Sequence, residues 1–470
     1  MPSPLLPHPA SRCVPRVPTA LVLVFGIACP SLACGDGSRE DNDTDGEGND
    51  VGDAIVPDGA GSDDDVSGDG ESSDCPEGGC LDLGGTLTTE SSDDCNDGST
   101  YGFNVIWIAN TSEGTVSKID TDTAQELARY RTGPNGDENP SRTSVNLRGD
   151  VAVGNRRGSV IKIIEKLENC VDKNGDGVRT STGPADVLPW GEDDCVAWTH
   201  EVGFSGTTDP YTGGPRAIAW DFDREASDPD ISGDCYGNPN VWVGWLDPPS
   251  TTTILRRLEG STGQVDVDLH IENWAGNWGH GSYGGAIDSK GDFWALGTKG
   301  TLVHVDGDLL EVSRWDHPTG SIRPYGLAID AADTPWMAGY DGHIYRFDRT
   351  DGLFIDLGAI TGGPSILRGL AIDKQGHAWL AGNAPCGLVR YDTHTETVVD
   401  ALVPLPGCTH IVGVSIDNDS QVWAVDRYAN QAYELEPSDY STRVVTGLVD
   451  PYTYSDMTGQ GLNLVVPPTE

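Results

Sequence analysis

The chain has 470 residues, with 74 Asp and Glu against 29 Lys and Arg, and a formal charge of −45. That sign repels phosphate backbones and anionic lipid, so the composition argues against nucleic-acid binding and against docking on a membrane by charge, while it suits divalent cations.

Residues 1–34 read as an export signal. Arg12 and Arg16 precede the apolar run "ALVLVFGIA" (20–28) and the small residues of "SLAC", the charged, apolar, small-residue order of a secretory signal, and the run is too short to cross a membrane as a helix. The segment resembles a bacterial lipoprotein signal with Cys34 as the lipid-bearing residue, although Ser31 stands where an aliphatic residue is usual; Cys29 is the second choice, and secretion without a lipid is the alternative. Residues 35–100 hold 21 Asp or Glu and one basic residue, Arg39. Such a stretch cannot offset its ordering entropy by burial, so it is expected to be a disordered acidic tether. The signal carries two positive charges and the tether a net twenty negative ones, which leaves −27 on residues 101–470.

Beyond Cys13, Cys29 and Cys34, eight cysteines remain at 75, 80, 95, 170, 195, 235, 386 and 408. An even number in an exported chain implies disulfides. Cys170–Cys195 and Cys386–Cys408 are the expected pairs, each enclosing one connection between strand patterns; pairing among Cys75, Cys80, Cys95 and Cys235 stays open.

From residue 101 onward the chain repeats. "GGAIDSKGDFWALG" (284–297), "GLAIDAADTPWMAG" (326–339), "GLAIDKQGHAWLAG" (369–382) and "GVSIDNDSQVWAVD" (413–426) align without gaps, with an Asp six residues before a Trp in each. Each is followed by a third alternating run, such as "LVHVD" (302–306) or "IYRFD" (344–348), and "VSKID" (116–120), "VIKII" (160–164) and "ILRRLE" (254–259) fit the same pattern earlier in the chain. That makes seven units. Period-two alternation with turn residues between the runs means short strands, and about four strands per unit of roughly 43 residues describe a propeller blade. The first unit begins with its Trp-bearing second strand, "NVIWIAN" (104–110), and an orphan run, "YTYSDMTG" (452–459), follows the seventh. The expected fold is therefore all-β, a seven-bladed β-propeller over 101–466 closed by a C-terminal strand that completes the first blade, with insertions at 165–214 and 222–239. Closure removes exposed sheet edges.

The recurring "G-[LV]-[AS]-I-D-x5-W-[ALM]" of residues 326–425 resembles the streptogramin B lyase (virginiamycin B lyase-like) group of seven-bladed propellers. The resemblance implies a magnesium-dependent elimination that opens a cyclic depsipeptide, with a His base and acidic metal ligands near the central channel. His410, in "CTHIVGVSID", and His280, in "NWGHGSYGGAID", stand just before inner strands and are the positions such a base would take. The acid that the group shows after its Trp survives here only as Asp426.

The repeated Asp288, Asp330, Asp373 and Asp417 are expected to cap turns rather than hold a metal, and Trp294, Trp336, Trp379 and Trp423 to pack between blades. Residues that break the repeat carry more information. Arg216, Arg323, Arg368 and His410 fall five or seven residues before the aligned Asp of their units, and Arg142 occupies a comparable place. Chain entering an innermost strand surrounds the channel mouth, so these cations are expected to converge there on an anionic or carboxylate ligand; the alternative is that each Arg pairs with an acid on the next blade. Trp274 and Trp278, in "ENWAGNWGHG", are candidates for an aromatic platform under a sugar or ring-bearing ligand, or for packing.

"DKNGDG" (172–177) spaces oxygens like the start of a calcium loop: Asp172, Asn174 and Asp176, then the Val178 carbonyl and Thr180. Gly183 replaces the bidentate Glu, and Glu192, Asp193 and Asp194, returned beside Cys195, are expected to complete the shell. The acidic stretch 221–235 reads as a decorated loop. With no P-loop, nucleophile elbow, HExxH or dinucleotide fingerprint, the leading expectation is a monomeric, calcium-stabilised propeller, tethered at the outer membrane or cell surface (otherwise periplasmic or secreted). It would bind a small molecule, glycan or protein, with no nucleic acid and with membrane contact only through the lipid. The alternatives are a Mg2+-dependent lyase using His410 or His280, and a structural cell-surface interaction protein.

Overall fold

The computed structural model describes residues 103–203, 214–223, 237–247, 249–276, 280–320 and 322–466. The signal, tether, Cys34, Cys75, Cys80, Cys95, Cys235 and Trp278 lie outside the described residues.

Seven antiparallel sheets succeed one another along the chain as the blades of a propeller. Six have four strands in sequence order. Their inner strands are Pro140–Val145, Ala217–Trp220, Ser282–Ile287, Pro324–Ile329, Ile366–Ile372 and Ile411–Ile416, each beside the next around the ring. Second strands such as Phe293–Gly297, Pro335–Gly339 and Val422–Asp426 are buried throughout, whereas fourth strands such as Val312–Asp316 and Thr397–Val403 face solvent in part.

The first sheet has three strands, Val105–Asn110, Thr115–Asp120 and Gln125–Arg131. The C-terminal segment takes its inner place. Asn110 bridges Pro451, and Trp107 N and Tyr452 N donate to the carbonyls of Met457 (3.0 Å) and Ala109 (3.2 Å). Closure is as expected, though the segment pairs too sparsely for a regular strand. Beyond it, the unexpected helix Gln460–Val465 packs against inner strands of the fourth, fifth and seventh blades.

The repeat motif has a structural cause at each position. One oxygen of Asp288, Asp330, Asp373 and Asp417 accepts backbone N–H groups across the turn, and the other accepts the indole N–H of Trp294, Trp336, Trp379 or Trp423 at 2.8–3.0 Å. Each glycine sits where neighbouring inner strands nearly touch. A Cβ at Gly326 would lie 2.5 Å from the Arg368 carbonyl oxygen, and one at Gly413 would lie 1.9 Å from that of Thr453.

Both expected disulfides form, Cys170–Cys195 (Cα–Cα 4.6 Å) and Cys386–Cys408 (5.8 Å). The first brackets the long connection between Ser159–Ile163 and Val196–Glu201, the third and fourth strands of the second blade.

Candidate ligand site at the channel mouth

Five inner strands slip register near their beginning, at Pro140/Arg142, Ser282/Gly284, Pro324/Gly326, Leu367/Leu370 and Ile411/Gly413. A bulge leaves one residue unpaired and re-aims its side chain. Within these bulges stand Tyr283, Tyr325 and Arg368, with Arg142 at the edge of another. Arg156 and Arg427 directly follow the second strands Val151–Asn155 and Val422–Asp426, and so come to the same end of the ring. The closing segment adds Tyr452 and Tyr454.

Cations and rings alternate in this cluster. The Arg142 guanidinium lies 3.2 Å from the Tyr454 ring centre and 4.8 Å from that of Tyr283, which Arg216 approaches to 5.5 Å. Arg368 lies 5.1 Å from the Tyr325 ring and 5.0 Å from the Tyr340 ring, and its Nη1 donates to the Tyr325 hydroxyl at 3.0 Å. Arg156 and Arg427 face the Tyr452 ring at 4.5 and 5.1 Å. The rings pack on one another, Tyr283–Tyr325 at 5.0 Å and Tyr325–Tyr454 at 4.7 Å, and the Tyr452 hydroxyl meets those of Tyr325 and Tyr283.

Burial is nearly complete: Arg142 is 1 % exposed, Arg368 2 % and Arg156 3 %. Among the described residues no carboxylate lies within ion-pair distance of any of these three, so pairing with the neighbouring blade does not account for them. Arg427 does pair, with Asp450 at 2.6 Å. Nε of Arg142, Arg156 and Arg368, Nδ1 of His280 and the Tyr454 hydroxyl are buried without a hydrogen-bond partner.

The titrating groups respond to this crowding of positive charge. Burial, with Arg216 nearby, draws Arg142 down to about 9, and burial with Arg156 nearby draws Arg216 down to about 10. Burial opposes the Arg368 charge too, but the phenols of Tyr325, Tyr452, Tyr340 and Tyr283 carry it upward. Burial pushes Tyr283 up to about 12; it also pushes on Tyr452, where Arg368, Arg156 and Arg142 outweigh it and bring the phenol down to about 8. His410 falls to about 3 through burial and the charges of Arg368 and Arg427, and His280 falls well below its usual value through burial, Arg216, Arg156 and Arg142. Both imidazoles are therefore neutral at physiological pH, His280 stacked on Tyr283 and His410 on Tyr428.

Of the residues singled out from sequence, Arg142, Arg216, Arg368 and His280 meet in this cluster, with His410 beside it. Arg323 is exposed at the rim, its guanidinium 5.2 Å from the Tyr340 ring. Trp274 is 1 % exposed and packs in an apolar cluster, with no face open to a ligand. Sequence reasoning missed Arg156, Arg427 and all four tyrosines; the one signal for Tyr283 and Tyr325 is their place directly before the repeated glycine.

Below the mouth the channel turns apolar. Ile218, Ile287, Leu327, Leu370 and Ile416 line a cavity of about 70 Å³, and Leu462 and Leu464 of the terminal helix border it. That volume holds a few waters at most.

The calcium-like loop keeps Asp172, Asn174 and Asp176 exposed. Asp172 accepts the N–H groups of Gly175 (2.7 Å) and Gly177 (3.0 Å), which hold its carboxyl below the usual range. The other acids turn elsewhere. Glu192 pairs with Arg179, Asp193 accepts from Ser181 and from the Thr180 hydroxyl, and Asp194 accepts from Lys173 N and Arg179 N. Glu192, Asp193 and Thr180 thus have partners elsewhere in the loop, whereas Asp194 reaches the 172–176 stretch through Lys173 N.

No protein-family model and no curated protein matches the chain. Among solved structures it is similar to virginiamycin B lyase from Staphylococcus aureus, at 14 % identity and a TM-score of 0.45 over 68 % of this chain and 89 % of that one. It is also similar to the catalytically inactive variant of that enzyme with quinupristin (13 %, 0.45, 65 % and 84 %), and to a streptogramin B lyase structure (13 %, 0.44, 67 % and 86 %). At these identities the likeness is one of fold.

Proposed function

We propose that this is an exported, surface-tethered binding module whose propeller accepts an anionic ligand at the channel mouth. The observation that carries the reading is the set of buried guanidiniums, Arg142, Arg156 and Arg368, gathered without a carboxylate among the described residues of a strongly acidic protein. Burying an unpaired charge costs several kcal/mol, roughly, and a fold keeps such an arrangement where a ligand supplies the missing partner. The aromatic rings exclude water and offer flat faces to the rest of the ligand. Thermal-shift screening against small carboxylates, phosphates and sulfates tests it: at least one class raises the melting temperature of the wild type and fails with Arg142→Ala and Arg368→Ala. No stabilisation by any class, or equal stabilisation of the variants, overturns it.

The lyase reading fits less well. Mg2+ demands oxygen ligands in near-octahedral order, and both candidate bases are surrounded by guanidinium and phenol. Asp426, the acid nearest His410 in the motif, already accepts from Thr409 N (2.7 Å), Thr409 Oγ1 (2.6 Å), His410 N (3.0 Å) and Ala429 N (3.1 Å). No reaction step is assigned through a metal. A calcium role for the disulfide-bracketed loop is a separate proposal. It rests on Asp172, Asn174, Asp176 and the Val178 carbonyl, and unchanged thermal stability on adding calcium or a chelator removes it.

A further inference from the structure

The number of unpaired charges says what kind of anion fits. Arg142, Arg156 and Arg368 bring three positive charges with no carboxylate among the described residues, and Arg427 is satisfied by Asp450. The protein's own relief is limited: Tyr452, between Arg156 and Arg427, is the phenol that the surrounding guanidiniums bring down, whereas burial holds Tyr283 and Tyr325 in the neutral form. At least two positive charges are left. Arg142, Arg156 and Arg368 stand against Tyr283, Tyr452 and Tyr325, whose hydroxyls meet one another, so the counter-charge has to be concentrated around those hydroxyls. The partnerless donors, Nε of Arg142, Arg156 and Arg368 and the Tyr454 hydroxyl, call for several acceptor oxygens at short range. A cationic ligand is repelled, and a neutral sugar would pair the donors but leave the charge. A monocarboxylate offers one charge and two oxygens.

We infer that the channel mouth recognises a compact dianionic oxyanion of the phosphate or sulfate type, seated among Arg142, Arg156 and Arg368, either free or as the terminal group of a larger molecule. This rests on the proposed anion-binding mouth and specifies its ligand class. Guanidinium forks match tetrahedral oxyanions through paired N–H···O bonds, which a point charge cannot do. The exposed Arg323 and the rings of Tyr340 and Tyr428 at the rim are placed to meet whatever the oxyanion is attached to.

The test is calorimetric titration of the purified full chain at pH 7 in chloride buffer with inorganic phosphate, sulfate, phenyl phosphate and acetate. Expected is saturable one-to-one binding of phosphate or sulfate, at least about tenfold tighter than acetate, and weakened at least about tenfold by Arg368→Met and by Arg142→Met. Arg314→Met, on an outer strand and paired with Asp316, leaves it unchanged. Phenyl phosphate binding more tightly than phosphate identifies the terminal group of a larger ligand, and the reverse order a free ion. Should the inner variants fail to fold, Arg323→Ala, at the exposed rim, separates the two: it weakens phenyl phosphate and spares inorganic phosphate. Acetate binding as tightly as phosphate overturns the dianion while leaving an anion-binding mouth; no heat with any of the four, or phosphate binding untouched by the inner variants, overturns the proposal outright.

Discussion

Replacing Arg142 by Met is expected to stabilise the ligand-free protein. Burial brings the guanidinium down to about 9 from its ordinary value above 12, and a displacement of more than three decades corresponds to about 5 kcal/mol of destabilisation of the charged form at neutral pH, as an upper bound. Methionine follows most of the arginine stem and removes that cost. Against it stand the ring contacts with Tyr454 and Tyr283, about 1–2 kcal/mol together, and the hydrogen bonds from Nη1 to the Ser141 carbonyl (2.9 Å) and from Nη2 to the Tyr283 carbonyl (3.4 Å), about 2 kcal/mol together. The net gain is about 1–2 kcal/mol, or about 1–4 °C in Tm. Urea unfolding in chloride buffer at pH 7 measures it, and repeating the titration in phosphate should reverse the order, because only the wild type gains from the ligand. The sign with pH follows: between about pH 9 and 12 the unfolded chain holds more protons at this position than the folded one, so wild-type stability relative to the variant rises with pH there. If the variant is less stable than wild type by about 2 kcal/mol or more in chloride, Arg142 is a structural member of the ring and the strained-site argument is wrong.

Tyr452→Phe tests the same field from the acidic side. The folded phenol titrates near 8 and the unfolded one near 10, so the wild type gains stability as pH rises from 8 to 10, by up to about 3 kcal/mol; the variant's unfolding free energy should lack that rise. Asp373→Ala removes the acceptor for Gln375 N, His377 N and the buried Trp379 indole, and should cost about 2–4 kcal/mol by chemical denaturation, more than Asp330→Ala, whose site is partly open to water. Gly413→Ala drives a Cβ into the Thr453 carbonyl and should free residues 451–466 to limited proteolysis, whereas Gly183→Ala, with nothing within 4 Å, should not. Mass measurement after alkylation of the unreduced chain should show Cys170, Cys195, Cys386 and Cys408 protected.

The ring was legible because its signals are redundant. An Asp that must accept an indole N–H and two backbone N–H groups, a Trp that must reach it, and a Gly that must let inner strands approach recur in four of the seven units, and their common spacing survives where surrounding residues change. The closing segment was legible for a different reason: a missing first strand and an orphan last one account for each other. The site gave weaker signals. Arg142, Arg216 and Arg368 could be placed at the mouth by their distance from the aligned Asp. Nothing local in the sequence says that Tyr452 and Tyr454, some 310 residues from Arg142, complete the same cluster, because ring closure brings them together only after folding. Bulges were equally hidden. They depend on register, which alternation does not report, and yet they decide that Tyr283, Tyr325 and Arg368 leave the ladder for the channel.

The division between repeated and unrepeated residues also says how this protein can tolerate a costly site. Four turns carry the same Asp–Trp bond at 2.8–3.0 Å, and buried second strands and two disulfides add to them, so stability is spread around the circumference. Burial of unpaired charge is concentrated at one end, on side chains that no blade needs for its own sheet. The closing segment joins the two, since its backbone completes the first blade and its phenols complete the mouth. A ligand that satisfies Arg142 and Arg368 therefore also holds the closing segment in place, and the ring is expected to be tightest when the site is filled.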